Sequence, residues 1–169
     1  HLNDLQSEVR AVSSWIKGAS DDADEDDFVI AMNAQRSGTG EHSVNEILGF
    51  QAFAYPKPPS LILNLLRQAS NPGDIVLDFF AGSGTTAHAV LALNAENPDE
   101  APRCFIMVSN RESTAKQPDR NVCLEICAER IRRVATGYGD TKGLGGNFAY
   151  LRMQKLDHAD VFYDLSPEM

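Results

Sequence analysis

Apolar residues recur along this chain with the spacings of both helices and strands. A helical repeat predicts a helix over 3–17, whose apolar face consists of Leu5, Val9, Val12 and Ile16. We expect a short strand near 28–32 and then a loop through 35–41. Ser60 can cap a further helix over 61–69, whose inward face is expected to consist of Ile62, Leu65, Leu66 and Ala69.

A strand, a glycine-rich loop and a helix are predicted in direct succession. The aliphatic run 75–77 follows the turn-forming residues 71–74 and predicts a buried strand. From Thr86 onward, good helix formers with one broad apolar face predict a helix that ends at the Asn-Pro pair 97–98. The stretch LDFFAGSGTT at 77–86 therefore joins a strand to the N-terminus of a helix.

Three more regular elements are predicted after this unit: a strand over 103–109, a helix over 119–136 and a final strand over 147–156. A loop through 111–119 and a glycine-rich connector over 137–146 link them. Because helices separate the strands, the order predicts an α/β fold with a parallel sheet. We expect three regions: an N-terminal helix, acidic linker and loop at 1–44, an α/β domain at 45–156 and a C-terminal tail at 157–169.

The composition bounds the size and the charge of this protein. With 169 residues and 43% hydrophobic content, the chain is long enough for one compact domain with a core. The formal net charge is -9, but the tract DDADEDD at 21–27 holds six of the 24 acidic residues, which leaves about -3 elsewhere. Such a tract is typical of a solvated linker. The near-neutral remainder argues against a dominant nucleic-acid-binding face.

The three cysteines form neither a disulfide framework nor a zinc-binding pattern. Cys123 and Cys127 lie one helical turn apart and are followed at helical spacing by Ile131 and Val134, which predicts a packed helix face. We expect His88 to be a packing or surface residue. No apolar run approaches the length of a membrane-spanning helix and no signal peptide is recognisable, so we expect a soluble cytoplasmic protein.

The residues between the predicted strand and helix have the composition of a ligand site. Gly82 and Gly84 lack Cβ and let backbone approach a ligand, while the first amides of the helix are free to point toward it. Together with Ala87 they satisfy the loose pattern G-x-G-x-x-G/A, so a dinucleotide is one hypothesis. Asp78 places a carboxylate where a pyrophosphate would bring negative charge, which favours a ligand with a cationic centre. A plain chain reversal needs neither Asp78 nor the threonines that follow.

These residues carry a resemblance to a known family. DFFAGSGTT at 78–86 resembles the S-adenosylmethionine-binding motif of DNA amino-methyltransferases, and FAYPKPPSLI at 53–62 resembles the second cofactor segment, which precedes that motif in the β-class enzymes. TTAHAVLALN and CFIMVSN extend the resemblance, most closely to the modification subunits of type III restriction systems, which methylate adenine at N6. The resemblance covers residues 45–156. It implies the C-terminal half of a Rossmann-like S-adenosylmethionine-dependent methyltransferase sheet.

Carried over residue by residue, the resemblance implies which residues wrap the methionine part of the cofactor: Asp78, Phe79, Ala81, Gly82, Ser83, Gly84 and Thr85. It also implies that the other side is closed by Pro56, Lys57 and Pro58. Lys57 is either a hydrogen-bond donor to the cofactor carboxylate or a solvated loop lysine. Ser109 takes the place of the acidic residue that usually binds the ribose. Either Asn110 or Glu112 reaches the ribose instead, or both belong to a surface loop.

The catalytic loop of this family is missing from the sequence. Amino-methyltransferases hold the target amine with a [DNS]-PP-[YFW] loop, whereas YPKPPS at 55–60 has paired prolines without the required neighbours. In the β-class order that loop lies N-terminal to both cofactor segments. Its absence, with His1 in place of an initiator methionine, predicts the C-terminal part of a longer enzyme that cannot methylate alone. We therefore expect no catalytic residue and no metal site in this chain.

The resemblance also implies the partners of the protein. They are double-stranded DNA through the full-length protein, the remaining N-terminal half, a restriction subunit and a second copy of the chain, with no membrane. We expect Arg130, Arg132 and Arg133 to form an exposed helix face rather than a phosphate-binding cluster. The strand that ends at Asp78 is central in the full fold, so its unpaired edge should be covered by the N-terminal segment or by a second chain. The alternative functions are a nucleotide-dependent oxidoreductase domain and a noncatalytic binding module.

Overall fold

The computed structural model describes residues 37–153, with side chains from residue 39 onward. Its elements in chain order are α1 (Ser37–Leu48), α2 (Pro59–Ala69), β1 (Ile75–Asp78), α3 (Thr85–Glu96), β2 (Cys104–Met107), a π-helical segment (Cys123–Ala128) that continues into α4 (Glu129–Thr136), β3 (Gly137–Tyr138) and β4 (Thr141–Lys142). The predicted helix over 3–17 and the predicted strand near 28–32 lie outside the described residues. The architecture is mixed α/β, as the order of elements predicts.

β1 and β2 form a small parallel sheet, in which Ile75 pairs with Cys104 and Asp78 pairs with Met107. Parallel neighbours require a crossover connection, and α3 supplies it. α3 is buried around most of its circumference because it packs against α2, β2 and α4, and its buried apolar residues are Ala87, Ala89, Val90, Leu91 and Leu93. The predicted strand, glycine loop, helix and following strand are therefore confirmed.

Within the described residues, only one face of this sheet is covered. Phe105 and Met107 pack against the core to which α1, α3, the π-helical segment and α4 contribute. On the opposite face, Ile75 is 66% exposed, and Leu77 and Ile106 are each 50% exposed. The prediction of a buried strand over 75–77 is therefore wrong for this face, because no described helix packs on it.

α1 contradicts the loop predicted through 35–41, since the helix begins at Ser37. Its apolar side chains drive helix formation because Val44, Ile47 and Leu48 are at most 3% exposed and belong to the core. The burial of this face outweighs the low helix propensity of the glycines near its start. The C-terminal carbonyls of α1 are also satisfied, because Arg133 donates to the carbonyl oxygens of Ile47 at 3.0 Å and Leu48 at 2.9 Å.

α2 differs in two details from the predicted helix over 61–69. It begins at Pro59 after an extended Pro58, so Ser60 lies inside the helix and is not its cap. Proline suits the first helical position because its φ is fixed and the missing amide needs no partner there. Among its predicted inward residues, Ile62 and Leu66 are half-buried, whereas Leu65 and Ala69 are exposed.

The C-terminal part differs more from the predictions. The helix predicted over 119–136 begins at residue 122, and its first turns are the π-helical segment. The predicted packed face of this helix is confirmed for Cys127, Ile131 and Val134, which are buried, while Cys123 is half-buried. The strand predicted over 147–156 is wrong for 147–153, which carry no regular structure because no described strand pairs with them.

Candidate functional site

The carboxylate of Asp78 is held in place at the carboxyl end of β1. Its Oδ1 accepts a hydrogen bond from the backbone N–H of Phe80 at 2.9 Å, and its Oδ2 accepts one from Oγ1 of Thr86 at 2.6 Å. Asp78 is half-buried. The strand end, the loop and the first turn of α3 therefore converge on one negatively charged group.

The glycine loop, residues 79–84, follows Asp78 and leads into α3. Gly84 precedes the first residue of α3 with a left-handed φ of 79°. A Cβ built on Gly84 would lie 3.0 Å from Sγ of Cys127, a close contact, so packing as well as the left-handed conformation favours glycine there. The backbone N–H of Ala81 donates to the carbonyl of Val108 at 3.0 Å, which fastens the loop to the end of β2.

Arg130 lies behind the glycine loop and is fully buried, at 0% exposure. Its Nη1 donates to the carbonyl oxygen of Ser83 at 3.2 Å, to Oγ of Ser83 at 3.0 Å and to Oγ1 of Thr85 at 2.9 Å. The prediction that Arg130, Arg132 and Arg133 form one exposed face is therefore wrong for Arg130, and Arg133 is half-buried against α1, so it holds only for Arg132. A sequence signal existed, because Arg130 is four residues from both Ile126 and Val134 and so shares their apolar face.

The proline segment, residues 56–58, faces the glycine loop. Pro56 and Pro58 are buried, whereas Lys57 is exposed. Oγ1 of Thr85 is 3.3 Å from the backbone carbonyl of Lys57, to which it donates. The two segments that the sequence analysis singled out are therefore in direct contact.

A cleft of about 730 Å³ lies between these segments and the end of β2. The predicted site residues that line it are Pro56, Lys57, Asp78, Phe79, Ala81, Gly82, Ser83, Thr85 and Ser109. Pro58 and Gly84 are predicted site residues that do not line it. Further lining residues, which the sequence analysis did not assign to the site, are Phe53, Tyr55, Ile62, Phe80, Thr86, Val108 and Met153. A volume of this size suits a small-molecule or cofactor ligand.

Asn110 and Glu112 line the same cleft at the end of β2. Glu112 has a φ of 53°, a left-handed conformation that residues other than glycine rarely adopt, and its backbone N–H donates to Oδ1 of Asn110 at 3.0 Å. The thiol of Cys123 donates to the carbonyl oxygens of Ser109 and Asn110, at 3.3 and 3.1 Å. The loop after β2 is thus tied to the π-helical segment on one side and opens into the cleft on the other.

Two titratable groups behind the cleft, His88 and Cys127, are neutral at pH 7. Burial, and after it the charge of Arg130, lowers the pKa of His88 to about 4. Burial likewise raises the pKa of the Cys127 thiol to about 12. His88 Nδ1 lies 3.3 Å from Nη2 of Arg130, so the neutral ring accepts a hydrogen bond from the guanidinium. His88 is therefore a packing residue in contact with Arg130, as expected.

The described residues carry neither a metal-binding cluster nor a membrane-spanning helix. No three of their His, Cys, Asp and Glu side chains are grouped as ligands. None of the helices in the range 37–153 combines the length and apolar character that crossing a membrane requires.

The fold and the cleft together define an α/β protein with a cleft at the carboxyl ends of two parallel strands, the position at which such sheets usually bind ligands. The chain belongs to the DNA methylase family, whose sequence model matches residues 10–132. The resemblance to the DNA amino-methyltransferases is therefore confirmed.

Three relatives illustrate the similarity. The chain is 40% identical to the type III restriction-modification enzyme StyLTI Mod subunit of Salmonella typhimurium over 61% of this chain and 16% of the relative. It is 36% identical to the EcoPI Mod subunit of Escherichia phage P1 over 58% of this chain and 16% of the relative. The type II methyltransferase M.KpnI of Klebsiella pneumoniae is 31% identical over 60% of this chain and 25% of the relative. The chain thus spans at most a quarter of these proteins.

Proposed function

We propose that this chain is the cofactor-binding part of a DNA methyltransferase and that it binds S-adenosylmethionine in the cleft. The observation that carries the proposal is the Asp78 carboxylate, which lines a cleft of cofactor size beside the N-terminus of α3. A carboxylate there favours a ligand with cationic groups, and S-adenosylmethionine carries a sulfonium and an ammonium. Membership of the DNA methylase family supports a methyl donor rather than a dinucleotide.

The proposed roles follow the two sides of the cleft. The methionine part of the cofactor contacts the glycine loop and its neighbours: Asp78, Phe79, Ala81, Gly82, Ser83, Gly84 and Thr85. Gly84 acts through the backbone geometry of the loop rather than by lining the cleft. Pro56, Lys57 and Pro58 close the opposite side, with the exposed ammonium of Lys57 able to reach the cofactor carboxylate.

We assign the ribose contact to Glu112, which lines the cleft together with Ser109. Asp78 and Glu112 are the two carboxylates that line the cleft in the described part of the chain. Ribose hydroxyls donate hydrogen bonds, and a carboxylate accepts them better than the hydroxyl of Ser109 does. The left-handed backbone of Glu112 supports the assignment, since such conformations cluster at ligand sites.

The two-stranded sheet would then be part of a Rossmann-like methyltransferase sheet in a longer protein. We propose that this protein methylates an exocyclic amine of DNA, adenine N6 rather than cytosine N4, because two of the relatives described above are type III Mod subunits. The chain lacks a [DNS]-PP-[YFW] loop, so it is inactive alone. Its partners are double-stranded DNA through the full-length protein, the N-terminal half, a restriction subunit and a second copy.

Isothermal titration calorimetry of the full chain tests the cofactor assignment. We expect S-adenosylmethionine and S-adenosylhomocysteine to bind and NAD not to bind. Asp78→Asn should lower the affinity for S-adenosylmethionine about 100-fold, because the substitution removes the negative charge opposite the cationic groups of the ligand. Asp140→Asn, in the exposed turn between β3 and β4, is the matched control and should leave the affinity unchanged.

Three results would each contradict a part of this proposal. Binding of NAD without binding of S-adenosylmethionine would support the oxidoreductase alternative. Equal affinity of Asp78→Asn and Asp140→Asn for S-adenosylmethionine would show that Asp78 does not contribute to binding. Transfer of labelled methyl groups to DNA by the 169-residue chain alone would contradict the proposal that it is inactive by itself.

A further inference from the structure

Arg130 is a fully buried cation whose neighbours are neutral. Within the described residues its guanidinium pairs with no carboxylate, and its hydrogen-bond partners are Ser83, Thr85 and His88. Its Nε is buried and has no hydrogen-bond partner. Burial lowers the pKa of Arg130 to about 10, so the group stays charged at pH 7. Because a buried charge is costly without a counter-charge, an anion close to this position would be stabilised.

The glycine loop separates this cation from the cleft by a single layer of residues. Ser83 and Thr85 accept hydrogen bonds from Arg130, and the same two residues line the cleft. α3 begins at Thr85 without a side-chain cap, so the positive end of its dipole lies at the same place. One end of the cleft therefore combines two sources of positive potential, whereas Asp78 supplies negative charge nearby.

Arg130 also connects both segments that border the cleft. It donates to Thr85 at 2.9 Å, and Thr85 in turn donates to the carbonyl of Lys57 at 3.3 Å. A chain of hydrogen bonds thus runs from α4 through the start of α3 to the proline segment. Loss of the guanidinium would free Thr85 and the Ser83 carbonyl together.

We propose that Arg130 is a positioning residue that holds the glycine loop against the proline segment and selects a ligand carrying a carboxylate at the Ser83 and Thr85 end of the cleft. This inference rests on the proposed function, in which that carboxylate belongs to the methionine part of S-adenosylmethionine. Asp78 then faces the cationic groups of the same ligand. The charge of Arg130 acts through the glycine loop. Because the local dielectric is low there, this charge raises the affinity for the carboxylate-bearing ligand about tenfold.

The test compares S-adenosylmethionine with decarboxylated S-adenosylmethionine, which differ only in the carboxylate. Binding of both is measured by calorimetry to the full chain and to the variants Arg130→Met, Arg130→Lys and Arg132→Met. In Arg130→Met, the affinity for S-adenosylmethionine should fall about tenfold more than the affinity for its decarboxylated analogue. Arg130→Lys should lower the affinity for both ligands. The ratio of the two affinities should stay within about threefold of the wild-type ratio, since the charge remains. Arg132 is exposed and pairs with Glu129, so Arg132→Met should change neither affinity.

Each outcome decides the matter. Equal weakening of both ligands in Arg130→Met would leave Arg130 a purely structural role and overturn the proposal. If thermal unfolding shows that Arg130→Met does not fold, Arg130→Lys decides, and loss of the preference for the carboxylate in that variant overturns the proposal. Wild-type protein that binds neither ligand refutes the proposed function itself and this inference with it. Wild-type binding with an unchanged ratio in Arg130→Met refutes the inference alone.

Discussion

Thr86, the second residue of α3, donates a hydrogen bond from its hydroxyl to Oδ2 of Asp78 at 2.6 Å. The first turn of the helix therefore orients the carboxylate that ends β1. Since Phe80 occupies Oδ1 of the same group, the carboxylate cannot rotate without losing a hydrogen bond. Thr85 and Thr86 directly follow Gly84 in the sequence, and the second of these threonines orients the Asp78 carboxylate.

Thr86→Val tests this relationship. We expect the free energy of unfolding to fall by about 1 kcal/mol and the affinity for S-adenosylhomocysteine to fall about fivefold, because Asp78 loses one of its two fixed partners. Urea unfolding and calorimetry measure the two quantities. Thr141→Val, at an exposed position of β4, is the control. Unchanged affinity in Thr86→Val would mean that the orientation of Asp78 does not matter for binding.

Gly84 and Gly145 have nearly the same left-handed φ, 79° and 81°, but different surroundings. A Cβ on Gly84 would meet Sγ of Cys127 at 3.0 Å and its carbonyl oxygen at 3.3 Å, whereas a Cβ on Gly145 would meet nothing within 4 Å. Gly145→Ala should therefore cost about 1 kcal/mol from conformation alone. Gly84→Ala should cost at least about 2 kcal/mol more in urea unfolding, because overpacking is added. Equal costs would show that the contact with Cys127 is easily relieved.

The lowered pKa of His88 makes the stability of the protein depend on pH. The unfolded chain takes up a proton on His88 below about pH 6.5, whereas the folded protein resists protonation until about pH 4. Stability contributed by the neutral ring is thus complete above pH 6.5 and is lost as the pH falls toward 4. The loss amounts to about 3 kcal/mol across this window.

His88→Asn should remove this part of the pH dependence. Urea unfolding at several pH values between 4.5 and 7 measures it, and His42→Asn is the control because His42 is exposed on α1. The hydrogen bond from Arg133 lowers the pKa of Glu129, so the protein also loses stability when Glu129 is protonated in acid. This contribution is the same in His88→Asn and in His42→Asn. A wild-type slope that survives in His88→Asn would assign the acid sensitivity elsewhere.

The uncovered face of β1 leads to a prediction about what lies against it. Parallel sheets are covered on both faces in stable proteins, so we expect the N-terminal segment or a second chain to cover the edge and face of β1. Leu77→Asp should then lower the free energy of unfolding by more than about 2 kcal/mol, because the new charge would be buried. Leu151→Asp, at a residue that is 82% exposed, should have little effect.

Analytical ultracentrifugation completes this test. A dimer that dissociates in Leu77→Asp would identify a second chain as the covering element, and a destabilised monomer would identify the N-terminal segment. A monomer in which Leu77→Asp costs no more than Leu151→Asp would contradict the prediction.

Local signals explain why the centre of the fold could be predicted. The aliphatic run of β1, the glycines that accept positive φ and the helix formers of α3 each act through near neighbours in sequence. A helix after the proline segment was also predicted, although it begins at Pro59 and not after a cap at Ser60. By contrast, Leu65 was expected to face inward and is exposed, because its environment depends on elements far away in the chain.

The sequence by itself determined the strand, the glycine loop and the helix that follows it, and it identified the family through these residues. Only the tertiary structure decided that 37–48 is a helix, that Arg130 is buried behind the glycine loop, and that one face of the sheet is bare within the described residues. The physical reason is that periodicity shows which residues share a side of an element. Whether that side meets the core, the glycine loop or solvent depends on residues distant in sequence.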